Sequence, residues 1–80
     1  MMTHKEAIEL TISTHFGINM IDLSLRVMSL IGPSEYRDNE FMDELGVLLK
    51  KGDIIKFHFD CHGNGTVLMF PRGTKLVRFK

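Results

Sequence analysis

The 80-residue sequence predicts a single α+β domain, three helices followed by a small antiparallel sheet. Two observations carry that expectation. Up to Lys51 the apolar residues recur every three or four positions, and from Ile54 the period changes to two. Clusters of Gly, Pro and Asn fall at the changes of pattern, where a chain must turn.

Thr3-His4-Lys5-Glu6 reads as a capping box, a hydroxyl for a free amide and a carboxylate three residues on that reaches back. Ile8, Ile12 and Phe16 then repeat every four residues as a core stripe, and Gly17 supplies a left-handed stop. Asn19 with Asp22 marks a second start, opening a helix over Met20–Ile31. Apolar residues nearly encircle this helix, leaving Asp22, Arg26 and Ser29 as its polar stripe. Gly32-Pro33 ends it, since proline neither continues a helix nor favours one just before it.

After a turn at 34–37, a third helix is expected from Asp38, which can cap it, to Lys51. Phe41, Leu45, Leu48 and Leu49 make its core stripe. Lys50 and Lys51 suit its negative end, and Gly52 its left-handed stop. Gly46 in mid-helix costs about 1 kcal/mol relative to Ala, which close helix packing would explain.

In the strand that follows, Ile55, Phe57, Phe59 and Cys61 are predicted to face the core, and Lys56, His58, Asp60 and His62 the solvent. Gly63-Asn64-Gly65 permits a hairpin turn. A two-residue loop at Gly63-Asn64 or Asn64-Gly65 sets Leu68 and Phe70 on the Phe57/Phe59 face, whereas a three-residue loop sets Val67 and Met69 there. Pro71-Arg72-Gly73-Thr74 is a second turn, leading to a third strand at 75–79 with Val77 and Phe79 inward.

Hydrophobic residues make up 44% of the chain and charged residues 25%, the range of an ordinary globular domain. Cys61 is the only cysteine, so no intramolecular disulfide forms, and a reducing, cytoplasmic setting is expected. The polar start from Met1 to Glu6 shows no export signal, and Asp22 and Arg26 interrupt the longest apolar run, so no membrane association is expected. Net charge is zero, but its distribution is uneven. Residues 1–49 hold three basic against eight acidic side chains, and residues 50–80 seven against two.

Chemistry-bearing clusters are sparse. His58, Asp60, Cys61 and His62 invite a metal reading, yet on a strand Cys61 points away from both histidines, so no metal or other cofactor is expected. The Gly63-Asn64-Gly65 segment joins strand to strand, unlike a phosphate-cradling loop that opens a helix. Asp43 and Glu44 sit on a helix face, where carboxylates are ordinarily solvated. A non-enzymatic domain is the expectation.

Three helices closed by a hairpin, and above all the stretch 41–59 (FMDELGVLLKKGDIIKFHF), resemble the winged helix-turn-helix superfamily. The resemblance covers nearly the whole chain as a pattern of elements. It implies that 54–70 is the wing, that the third helix enters the DNA major groove, and that the role is transcription or replication control. The sequence departs from that pattern at Glu40, Asp43, Glu44 and Val47, which take the outward positions of the third helix. Duplex DNA carries one phosphate charge per about 1.7 Å of axis and would repel them.

The basic wing is therefore the expected nucleic-acid-binding surface, through Lys56, His58, Arg72, Lys75, Arg78 and Lys80. The plainer reading is a solvated sheet face. The alternative function is a protein-interaction module. Its interface would use the apolar second helix (Leu23, Val27, Leu30) or the acidic third (Glu40, Asp43, Glu44), with a homodimer as one form. A merely central second helix is the plainer reading there.

Overall fold

The computed structural model describes the backbone of residues 2–61 and 64–75, and of these every side chain except 59–61 and 64–66. The order is α1 (His4–Thr14), β1 (Ile18–Asn19), α2 (Met20–Ile31), α3 (Asp38–Lys51), β2 (Ile54–Cys61) and β3 (Asn64–Pro71). The three strands form one antiparallel sheet in the order β1-β3-β2, so the domain is α+β, as expected.

The helix starts follow the sequence signals. The Thr3 hydroxyl accepts the Glu6 N–H at 3.1 Å, and the Glu6 carboxylate accepts the Thr3 N–H at 3.1 Å, completing the capping box. Asn19 caps α2 by accepting the Asp22 N–H at 2.8 Å. Helix α3 departs from expectation, because Arg37 occupies its cap position and makes no side-chain cap bond. Asp38 instead accepts the Tyr36 hydroxyl at 2.7 Å. Gly52 ends α3 in the left-handed region, at φ 81°.

One core joins all elements. Ala7, Ile8 and Ile12 of α1 pack with Leu23, Val27 and Ile31 of α2, with Phe41, Leu45 and Leu48 of α3, and with Ile18, Ile54 and Met69 of the sheet. Full burial of each Leu or Ile contributes about 1.5–3 kcal/mol. Thr11 is also buried, its hydroxyl satisfied by the Ala7 carbonyl at 2.7 Å. Phe16, expected in the α1 stripe, is not in this core, because α1 ends at Thr14 and His15 caps it.

The hairpin corrects two expectations. Ile55 pairs with Phe70 and Phe57 with Leu68, so these four share one face. Cys61 pairs with Asn64, however, so the two-residue connection is 62–63, outside the described residues, rather than either loop expected. The face turned to the helices is also the other one: core residues Ile54 and Met69, and Val67 packed against them, share it with Lys56 and His58. Those two polar side chains stay exposed on β2, which is an edge strand among the described residues.

Among the described residues the third strand of the sheet is β1. The strand expected at 75–79 lies beyond the described residues except for Lys75. On β3, the edge next to that turn is taken by β1, which pairs Ile18 with Met69 and Asn19 with Leu68. Gly46 has no close packing to explain it, since a Cβ built there meets nothing within 4 Å.

Candidate functional site

Basic side chains gather at the base of the hairpin. Lys50 and Lys51 occupy the last turn of α3, where exposed cations complement the helix dipole. Gly52 and Asp53 close that turn on the Leu49 and Leu48 carbonyls. Ile54 then pairs with Pro71, which brings the turn after β3 alongside the end of α3. Arg72 Nη1 lies 3.8 Å from Asp53 Oδ1, linking the two turns through exposed groups. Such a pair contributes at most about 1 kcal/mol.

Thr74 folds the second turn by donating its hydroxyl to the Pro71 carbonyl at 2.8 Å. Arg72 and Lys75 are presented to solvent there, and Lys56 and His58 along β2. Among the described residues, Lys50, Lys51, Lys56 and Lys75 make no ion pair. Of the six basic residues expected to bind nucleic acid, Lys56, His58, Arg72 and Lys75 are exposed in this half, while Arg78 and Lys80 lie outside the described residues. Lys50 and Lys51 were missed as members of the group, because the dipole already explained them. The Ile54–Pro71 pairing unites them with the hairpin.

The outward face of α3 is acidic and partly engaged. His4 is 8% exposed, and its Nε2 accepts the Arg37 backbone N–H at 3.0 Å. That leaves Nδ1 as the protonated nitrogen, 3.1 Å from Glu40 Oε2, a tautomer assigned from the bonding network. His4, Glu40, Asp43 and Glu44 line an open cleft of about 500 Å³ with Thr3 and Lys5. Arg37, just ahead of α3, folds back on its own loop, where Nη1 donates to the Ser34 and Tyr36 carbonyls at 3.1 Å each. Desolvation, then the hydrogen bond and charge of Asp38, push the Tyr36 hydroxyl up to about 12.

On α2, Leu23 and Val27 are withdrawn from the partner face, since both are fully buried by their own chain. Leu30 is exposed and lines a groove of about 280 Å³ with Leu10 and Arg26. The most exposed apolar side chains of α2 are Ile21 and Leu25, 74% and 57% exposed and one turn apart, with Met20 and Leu30 less so. Glu40 and Asp43 are exposed on α3, and Glu44 is half-buried.

Among the described residues no three His, Cys, Asp or Glu side chains are placed to hold a metal ion. No helix is long and apolar enough to cross a membrane among them. What the site offers chemically is a set of exposed cations at one end of the sheet, apart from the carboxylates of α3. The molecule is thus a small α+β domain with a polarised surface. No family model matches the chain, and no curated protein or solved structure matches it.

Proposed function

We propose that the chain is a winged-helix-like nucleic-acid-binding module that meets the phosphate backbone with the base of its hairpin rather than with α3. The observation that carries this reading is the segregation of charge. Lys50, Lys51, Lys56, Arg72 and Lys75 are exposed on the α3 terminus, β2 and the second turn, while Glu40 and Asp43 are exposed on the helix that would otherwise enter the groove. Three helices closed by a hairpin support the winged-helix comparison. Lysines on a surface of this kind position a backbone and read little sequence. Control of transcription or replication is the role the resemblance suggests, and the lone Cys61 agrees with a cytoplasmic setting.

An anisotropy titration with labelled duplex and single-stranded DNA tests the reading. Binding that weakens steeply as salt rises supports it. No binding at tens of micromolar protein near about 50 mM salt, or a salt-independent signal, defeats it.

A protein partner, including a second copy, is the second reading, favoured by Ile21 and Leu25 standing exposed on one face of α2. Light scattering and capture of a partner by the wild type, both lost in Ile21→Ser/Leu25→Ser, would favour it. A strict monomer that captures nothing counts against it.

A further inference from the structure

Phe16 is the one exposed phenyl ring among the described side chains, at 69%. Its place is set by the chain on both sides. Helix α1 has ended at Thr14, and Gly17, at φ 74°, turns the backbone into β1. Pairing with β3 begins only at Ile18, opposite Met69, so Phe16 stands in the turn just ahead of β1. The Phe16 ring meets the Phe70 ring at 5.0 Å and 75°, an edge-to-face contact. Phe70 is itself only 4% exposed and lies against Gly17, where a Cβ would come within 3.1 Å of the ring. An exposed ring therefore stands on a buried, fixed one.

The cations lie at the same end of the sheet. Arg72 and Lys75 follow Pro71 directly, and the Ile54–Pro71 pairing brings Lys50 and Lys51 there too. An exposed aromatic ring at the same end of the sheet as several cations suits a ligand with both a π-face and a phosphate chain. Unpaired nucleotides supply both, whereas duplex DNA hides its base faces in its own stack. An apolar protein partner would use the ring but has no need of the cations.

We infer that Phe16 is a stacking platform for an unpaired base, so that the preferred ligand is single-stranded nucleic acid. This rests on the nucleic-acid reading above and narrows its ligand.

The test uses anisotropy with a labelled oligothymidylate and a labelled hairpin duplex of equal length, at low salt. The wild type should bind the single strand more tightly. Phe16→Leu should weaken that binding about tenfold or more and leave the duplex unchanged, while Phe16→Tyr stays within about twofold of wild type. A duplex preference, or single-strand binding unchanged in Phe16→Leu, overturns the stacking role and leaves the module reading standing. Failure of the wild type to bind either ligand overturns both.

Because Phe16 touches Phe70, a second readout avoids dependence on the Leu variant's folding. The chain has no Trp, so Phe16→Trp introduces a single indole. Its emission should be quenched by saturating oligothymidylate and not by the duplex. Emission unchanged by the single strand, or altered by protein concentration alone, contradicts the assignment, the latter in favour of self-association.

Discussion

The His4 ring accepts the backbone N–H of Arg37 at 3.0 Å, tying the first turn of α1 to the residue that opens α3. The hydrogen bond spans 33 positions and is partly buried. It also fixes the tautomer that directs Nδ1–H at Glu40. The Tyr36 ring stands beside His4 at 5.6 Å and leads on to Phe41 at 6.0 Å, so the latch is continuous with the core.

His4→Leu removes the acceptor and leaves the Arg37 amide without its partner. The expected loss is about 1–3 kcal/mol, the cost of an unsatisfied polar group. For a domain this small each kcal/mol corresponds to about 4–8 °C in Tm, so thermal unfolding followed by circular dichroism reads it directly. An unchanged Tm would mean that water replaces the imidazole at no cost.

Tyr36 is the sole tyrosine and there is no tryptophan, so its ionisation can be followed by ultraviolet absorbance without overlap. The native hydroxyl should titrate near about 12 instead of 10.0. A raised folded-state value favours the protonated form, so this stability is fully present below the unfolded value and is lost as pH rises from there through the folded one. Asp38→Asn should move the midpoint part of the way down, leaving the desolvation component in place.

At the acid end the capping box makes the opposite prediction. The Thr3 backbone and side-chain hydrogen bonds hold the Glu6 carboxyl below its ordinary value of 4.5. Its contribution is present above that value and is lost as pH falls through the lowered folded-state value. Glu6→Gln should therefore flatten the acid limb of a stability–pH curve. Thr3→Ala should cost about 1 kcal/mol at neutral pH, the usual worth of an N-cap. Denaturant melts across the acid range check both.

Gly46→Ala should stabilise the domain by about 1 kcal/mol, because the helix gains propensity and the new methyl meets nothing. A denaturant midpoint shifted downward would show that the position is constrained by something other than space.

Leu23→Ala should cost about 2–5 kcal/mol, as expected for a cavity in a fully buried site. Ile21→Ser, two residues away on the exposed side, should stay within about 0.5 kcal/mol in the monomer. Equal losses at the two positions would mean that the Ile21 face is covered in solution.

Local signals in the sequence hold at most helix ends, the exception being Asp38, which bonds the Tyr36 hydroxyl instead of capping α3. The Thr3–Glu6 box, the Asn19 cap and the Gly52 stop all appear where the side chains require them. Features set by long-range pairing were not legible. β1 is two residues long and has no period of its own; only its pairing with Leu68 and Met69 makes it a strand. The core face of the hairpin was misjudged because both of its faces carry apolar residues, Ile54, Val67 and Met69 on one and Ile55, Phe57, Leu68 and Phe70 on the other. The alternation of Lys56 and His58 with Phe57 pointed to the wrong side, since an edge strand lets polar groups share the core-facing side and still reach water. Phe16 kept the spacing of the α1 stripe but fell beyond the helix end, where spacing no longer determines direction.

The most direct test of charge segregation compares two charge reversals in one salt series. Lys56→Glu/Arg72→Glu should weaken nucleic-acid binding and lower the slope of log affinity against log salt by about 1 for each phosphate no longer neutralised, while Asp43→Lys/Glu44→Lys should leave binding unchanged or strengthen it. Binding that survives the hairpin reversal and collapses on the α3 reversal would contradict the account and place the nucleic acid on the acidic helix.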